Sequence, residues 1–283
     1  MKKSGIQEIL GLHPFSRLYR FPRFLHLARM SSGISFFGKV RAIWRMVVLM
    51  LVLAWYLGRL MLVSWISGEE ESRGFRYRRK FTQVAMRILG VKLTVQGQAH
   101  PSPALYASNH RSLLDPIIEL HFIDAYIVSK SEVEKYPLVG RGAKETGVVF
   151  LKRESRQSRA ATRMAIKELL ESHKSVLLYP EGTTSNAHTT REFKPGAFEI
   201  AAEVGVPVVP VSIQYSDPSH HWEDGPMLKF FIRKFGQKRI EVRLSIGEPM
   251  VDQDPRALMQ KVRGWIGKEI QAKAEAKAEE GKA

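Results

Sequence analysis

The chain has 283 residues, enough for one large or two small domains, and 44% of them are hydrophobic, so it can bury a core and is not a disordered protein. Its 44 Lys and Arg against 28 Asp and Glu leave a formal charge of +16, which points to an anionic partner: nucleic acid, an anionic membrane surface, or an acidic carrier or nucleotide-bearing substrate. The absence of cysteine excludes disulfides, Cys-ligated zinc and a cysteine nucleophile, and fits a cytosolic face.

Residues 1–38 form a basic arm interleaved with aromatics, among them Phe15, Arg17, Tyr19, Arg20, Phe21 and Arg23. The arm has no apolar run of signal-peptide length, so cleavable targeting is not expected. Met30, just ahead of the apolar segment, is a candidate for the true start of the chain. Residues 39–90 are expected to be membrane-anchoring helices. Met46 to Ile66 carries Arg59 as its single charge, and at 1.5 Å per residue it matches a hydrocarbon thickness of about 30 Å. A buried core helix is the competing reading, opposed by the nearly complete lack of polar circumference and by Trp44, Trp55, Tyr56 and Trp65, residue types that settle at membrane interfaces. Basic residues flank the segment on both sides, so charge asymmetry assigns no orientation. That balance suits a monotopic or re-entrant anchor, paired with an amphipathic helix at about Phe75 to Leu89.

From Val91 to residue 270 the pattern becomes that of an α/β domain, a mostly parallel sheet flanked by helices. Strands are predicted at 93–96, 104–108, 125–128, 148–151, 175–178, 208–214 and 240–245, and helices at 116–121, 155–172, 195–204 and 255–274. Residues 271–283 are an Ala/Lys/Glu-rich tail with no functional signal. In such folds ligands and catalytic groups collect where strands end and helices begin. Asn109-His110 after the second predicted strand is followed by Asp115-Pro116. A carboxylate that holds one ring nitrogen of a histidine makes the other a general base. Asp at a helix N-cap with Pro at the first helical position produces the same spacing without any chemistry.

Three more segments sit at strand ends. Val149-Phe150-Leu151 runs into Lys152-Arg153, two cations that belong to an ordinary solvated strand end or to a phosphate site. Tyr179-Pro180-Glu181-Gly182-Thr183-Thr184 combines a strand-ending proline, a permissive glycine, hydroxyls and a carboxylate that calls for a partner. Val206-Pro207-Val208-Val209-Pro210-Val211 builds core or walls an acyl pocket.

In order and spacing, these four blocks resemble those of the glycerolipid acyltransferases, the 1-acylglycerol-3-phosphate acyltransferase group, over roughly residues 75 to 250. The resemblance implies a membrane-bound enzyme that moves an acyl group from acyl-CoA or acyl carrier protein to the hydroxyl of a lysolipid, with no cofactor and no covalent acyl-enzyme. It implies His110 as the base and Asp115 as its orienting carboxylate. Arg153 and Lys152 would face the acceptor head group, and Glu181, Gly182, Thr183 and Thr184 would shape the acceptor pocket. Many phosphatidate-forming members carry Arg at the position of Thr184, so the acceptor is either 1-acylglycerol-3-phosphate or a lysolipid with another head group, such as lyso-ornithine lipid. Arg153, Lys194 and Arg191 are the candidates to replace the missing charge. A competing class is a non-catalytic basic protein of the membrane surface. No recognisable nucleic-acid module is present. His188, His220 and His221 fit no metal-ligand spacing, and the last two are expected in a surface loop.

Overall fold

The computed structural model describes residues 35–68, 70–130, 134, 139–151, 156–187, 189–222 and 227–280. The aromatic-basic arm with Met30, the Lys152-Arg153 pair and His188 lie outside the described residues.

Seven strands form one sheet in the order β1-β7-β6-β2-β5-β3-β4. They are β1 (Val91–Gln96), β2 (Leu105–Ser108), β3 (Tyr126–Lys130), β4 (Val148–Leu151), β5 (Val176–Leu178), β6 (Val208–Tyr215) and β7 (Ile240–Ile246). The five strands from β6 to β4 are mutually parallel. β7 joins β6 antiparallel, and β1 runs parallel to β7. The mostly parallel sheet expected from the alternation of apolar runs and helices is therefore present, with a two-strand edge of opposite direction.

Eight described α-helices accompany it: α1 (Phe36–Ser67), α2 (Glu71–Leu89), α3 (Asp115–Phe122), α4 (Val139–Glu145), α5 (Arg156–Glu171), α6 (Gly196–Val204), α7 (Met227–Phe235) and α8 (Pro255–Glu280). Side chains alternate across a strand, so the sheet has two buried faces. On one, Tyr106, Leu177, Val209, Val211 and Ile213 pack with α2, α3 and α7. On the other, Leu105, Ala107, Val176 and Val208 pack with α5, α6 and α8. Burial on both faces explains why all eight residues of β6 are buried and why its first four residues, Val208 to Val211, read as an unbroken apolar run.

The connections place the site. The chain leaves β2 through α3 on the first face and skips β5 to reach β3. It leaves β5 through α6 on the second face and skips β2 to reach β6. Adjacent strands whose following helices depart to opposite faces open a crevice at their carboxyl ends. The loops that start at Asn109 and Tyr179 meet there.

α1 is longer than the 21 residues of its apolar core. It is the helix among the described residues that is long and apolar enough to cross a membrane. Its first half is nonetheless fastened to the domain. Gly38, Ala42, Arg45 and Leu49 form a buried stripe at helical spacing. The Arg45 guanidinium donates to the carbonyls of Phe235 at 2.8 Å, Gln237 at 2.6 Å and Lys238 at 3.2 Å, where it satisfies the open C-terminus of α7. The opposite stripe, with Phe37, Trp44, Leu51, Trp55 and Trp65, is exposed. α2 is held similarly, since Arg78 donates to the carbonyls of Ala125, Thr146 and Ile123. α2 begins four residues before its expected start.

Two helices were not predicted. α4 carries Gly140 and Gly142, poor helix formers, and a Cβ at Gly140 would lie 2.1 Å from the Glu134 carbonyl oxygen. α7 has only nine residues, and so short an apolar stretch can be read as helix or strand from its sequence. The surface-loop expectation for His220-His221 is corrected. His220 ends a 3-10 turn, Pro218–His220, and is 2% exposed. Both rings pack on Tyr215, and burial lowers the pKa of each to about 4.

Candidate active site

β2 delivers Asn109 and His110 into the crevice. Asn109 is inaccessible and clamps the strand end. Its amide nitrogen donates to the Ile213 carbonyl at 2.9 Å, and its oxygen accepts from the Ile213 amide at 2.9 Å, as an added backbone unit would on β6. The chain then turns, and Asp115 opens α3. The N-cap is Leu114, so Asp115 is the first helical residue and Pro116 the second, one position later than expected. The carboxylate does not cap its own helix. It reaches back into the turn, where Oδ2 accepts from the Arg111 amide at 2.6 Å and the Ser112 amide at 2.8 Å.

The same oxygen lies 2.8 Å from His110 Nδ1. An ionised carboxylate only accepts, so the imidazole hydrogen sits on Nδ1 and Nε2 is the nitrogen able to take a proton. Oδ1 accepts from the Tyr215 hydroxyl at 2.7 Å. Asp115 is thus inaccessible and supplied with four donors, while the His110 side chain keeps 17% of its surface. The arrangement is that of a base with an orienting carboxylate.

The Tyr179 ring lies flat on the His110 ring, with centroids 4.0 Å apart and planes 10° from parallel. Beyond Tyr179 the chain turns at Gly182, whose φ of +73° favours glycine and whose amide donates to the Tyr179 carbonyl at 2.9 Å. Glu181 is buried beside His110. Burial raises its carboxyl above the usual range, opposed by the Arg111 charge and by the Arg191 and His110 amides. Its Oε2 accepts from the Arg191 amide at 3.3 Å, while Oε1 has no hydrogen-bond partner among the described residues. The buried Arg111 guanidinium donates to the Ser185 carbonyl at 2.8 Å and the Thr189 carbonyl at 3.0 Å, and the Ser185 amide donates to the His110 carbonyl at 2.9 Å. These bonds lock the two loops together. Thr183 is exposed and Thr184 half-buried.

Of the predicted site residues, His110, Asp115, Glu181 and Gly182 converge, and Thr183 and Thr184 border them. Arg153 and Lys152 are outside the described residues. Lys194 proves close, since a Cβ at Gly182 would meet its Nζ at 2.5 Å. The sequence reading missed Ser108, Arg111, Glu119 and Tyr215. Glu119 carried a weak signal, since it follows Asp115 by four residues and so shares its helix face.

The model of the acyltransferase family matches residues 92–214, which contain both strand ends and the converging side chains other than Tyr215. A chloroplastic 1-acyl-sn-glycerol-3-phosphate acyltransferase of Brassica napus is 35% identical over 150 residues, 49% of this chain and 44% of that protein. Residues 92–214 are thus similar to the acyltransferase family, and the match is confined to that stretch. A lyso-ornithine lipid O-acyltransferase of Pseudomonas aeruginosa is 32% identical over 161 residues, 54% of this chain and 62% of its own. The chain therefore spans less than two thirds of the length of these curated relatives. The acyltransferase fold itself recurs in the crystal structure of the 1-acyl-sn-glycerophosphate acyltransferase PlsC of Thermotoga maritima, with a TM-score of 0.67 and 23% identity, covering 83% of this chain and 97% of that one.

Proposed function

We propose that this protein is a membrane-bound O-acyltransferase that moves a fatty acyl group from a thioester to the hydroxyl of a lysolipid. The observation that carries the reading is the His110 Nδ1 to Asp115 contact at the end of the central strand, with Nε2 left to act. Nε2 takes the proton of the acceptor hydroxyl as its oxygen attacks the thioester carbonyl. The tetrahedral intermediate then expels the thiolate, which recovers the proton from His110 and leaves as the thiol, while the new ester stays on the lipid. The imidazolium formed in between faces the Asp115 charge. Acyl-CoA and acyl carrier protein are both strongly anionic, and either suits the +16 chain.

The acceptor is 1-acylglycerol-3-phosphate in the first reading, as in the name of the Brassica napus relative. Lys194 beside Gly182, together with Arg153 and Lys152, supplies cations for a phosphate where Thr184 supplies none. The second reading, lyso-ornithine lipid or a substituted lysophospholipid, is favoured by that same Thr184 and by the Pseudomonas aeruginosa relative. The exposed aromatic stripe of α1, opposite a stripe fastened to the domain, suits a helix lying in one leaflet of the membrane; the lack of cysteine fits a catalytic domain on the cytoplasmic face. Purified protein in detergent, given a labelled acyl thioester and a panel of lysolipids, tests the activity. Transfer to one acceptor, abolished in His110→Ala, is expected; equal turnover in that variant overturns the mechanism.

A further inference from the structure

Behind the base lies a second buried carboxyl that the mechanism does not use. Glu119 stands one helical turn after Asp115 on α3 and is wholly inaccessible. Its Oε2 accepts from the Tyr179 hydroxyl at 2.6 Å, and its Oε1 is in hydrogen-bond contact with Ser108 Oγ. Ser108 Oγ is also 3.1 Å from the Asn109 carbonyl oxygen. A serine hydroxyl has one hydrogen, and here it faces two acceptors. Both contacts are satisfied only when Glu119 carries a proton, which it donates to Ser108 Oγ, leaving the serine hydrogen for the Asn109 carbonyl.

The surroundings agree. The ionisable groups around Glu119 are Asp115 on its own helix, Tyr179 after β5 and Tyr215 on β6, with His110 stacked on the face of the Tyr179 ring. No Lys or Arg among the described residues is in hydrogen-bond contact with it. Burial, with the Asp115 charge one turn away, raises its carboxyl well above the usual range.

Resting on the reading of His110 as the base, we propose that Glu119 is a positioning residue in its neutral form: as a hydrogen-bonded acid it tethers the Tyr179 hydroxyl and so holds the Tyr179 ring against the His110 imidazole, without adding a second negative charge to that on Asp115. Asp115 fixes one ring nitrogen, which leaves the imidazole free to tilt about that contact. The stacked Tyr179 ring removes the tilt, and the tether fixes Tyr179.

The test compares Glu119→Gln, Glu119→Leu and Tyr179→Phe. Glutamine mimics the protonated acid, donating through its amide to Ser108 and accepting from Tyr179. Loss of the tether should lower kcat about 10- to 100-fold in Glu119→Leu and Tyr179→Phe with KM within about twofold, the scale of a misplaced catalytic group, and Glu119→Gln should recover all but about threefold. In substrate-free protein, the His110 ring protons should show the upfield NMR shift of a stacked ring, weakened in Glu119→Leu and Tyr179→Phe and restored in Glu119→Gln. A Glu119→Gln as impaired as Glu119→Leu overturns the neutral acid, and ring shifts unchanged in Tyr179→Phe overturn the tether. If Glu119→Leu does not fold, the other two variants decide the matter. A wild-type protein that transfers no acyl group refutes the proposed activity, while the ring shifts still judge this inference.

Discussion

Replacing Asp115 by asparagine removes a charge yet leaves every hydrogen-bonding position filled. The amide oxygen takes the place of Oδ2, where it accepts from His110 Nδ1 and from the Arg111 and Ser112 amides, and the amide nitrogen donates to the Tyr215 oxygen, whose hydroxyl turns away. What disappears is the attraction between the carboxylate and the imidazolium formed during transfer. Coulomb's law with an effective dielectric constant of about 20 puts that attraction at about 6 kcal/mol for the 2.8 Å contact. His110 is partly exposed, so water screens some of it, and a loss of about 4 to 5.5 kcal/mol corresponds to about 10³ to 10⁴ in kcat. Stability should fall by only about 1–3 kcal/mol, because charged hydrogen bonds become neutral ones and none is lost. Acyl transfer from a labelled thioester, measured beside a thermal melt, separates the two effects. A folded Asp115→Asn variant that keeps more than about a tenth of wild-type kcat would show that the carboxylate merely builds the turn.

Asn109→Ala should cost about 2–5 kcal/mol, since it leaves the buried amide and carbonyl of Ile213 unpaired; a denaturant midpoint that does not move would refute the clamp. Thr184→Arg should raise activity on lysophosphatidate relative to lysolipids with other head groups, by about 10-fold or more if the new guanidinium reaches a phosphate, and an unchanged ratio removes Thr184 from acceptor choice. His220 has a folded pKa of about 4, below its ordinary value, so the unfolded chain takes up the proton first as the pH falls. Its contribution is complete above about pH 6.5 and is lost between there and about pH 4, on the order of 3 kcal/mol. His220→Gln should flatten the acid limb of melting temperature against pH, and an identical limb in both proteins would sink this assignment.

The pairing of His110 with Asp115 was legible because its two members are five residues apart and the contact depends on local spacing. Asn109, His110 and Asp115 lie in one strand-turn-helix unit, and the periodicity that marked β2 and α3 already carried them to a strand end. The exact cap was not legible: whether Asp115 caps forward or reaches back depends on where Arg111 and Ser112 point their amides. Tyr179 and Tyr215 were out of reach for a different reason. Tyr179 and Tyr215 follow Asp115 by 64 and 100 positions in the chain, and only the strand order brings them to it. His220 read as a polar loop residue, since the short spacing from Tyr215 does not by itself show that the two rings will pack and be buried.

The class of architecture, the apolar helix and the spacing of the proposed base from its carboxylate follow from the sequence, because hydrophobic period and short-range spacing are properties of a contiguous chain. The tertiary structure alone decided which side chains surround that base. Crossovers to opposite faces set β2 between β5 and β6, and this juxtaposition lays the Tyr179 ring that follows β5 on His110 and the Tyr215 hydroxyl of β6 on Asp115. Contacts across a parallel sheet depend on the order of its strands, which local periodicity does not encode.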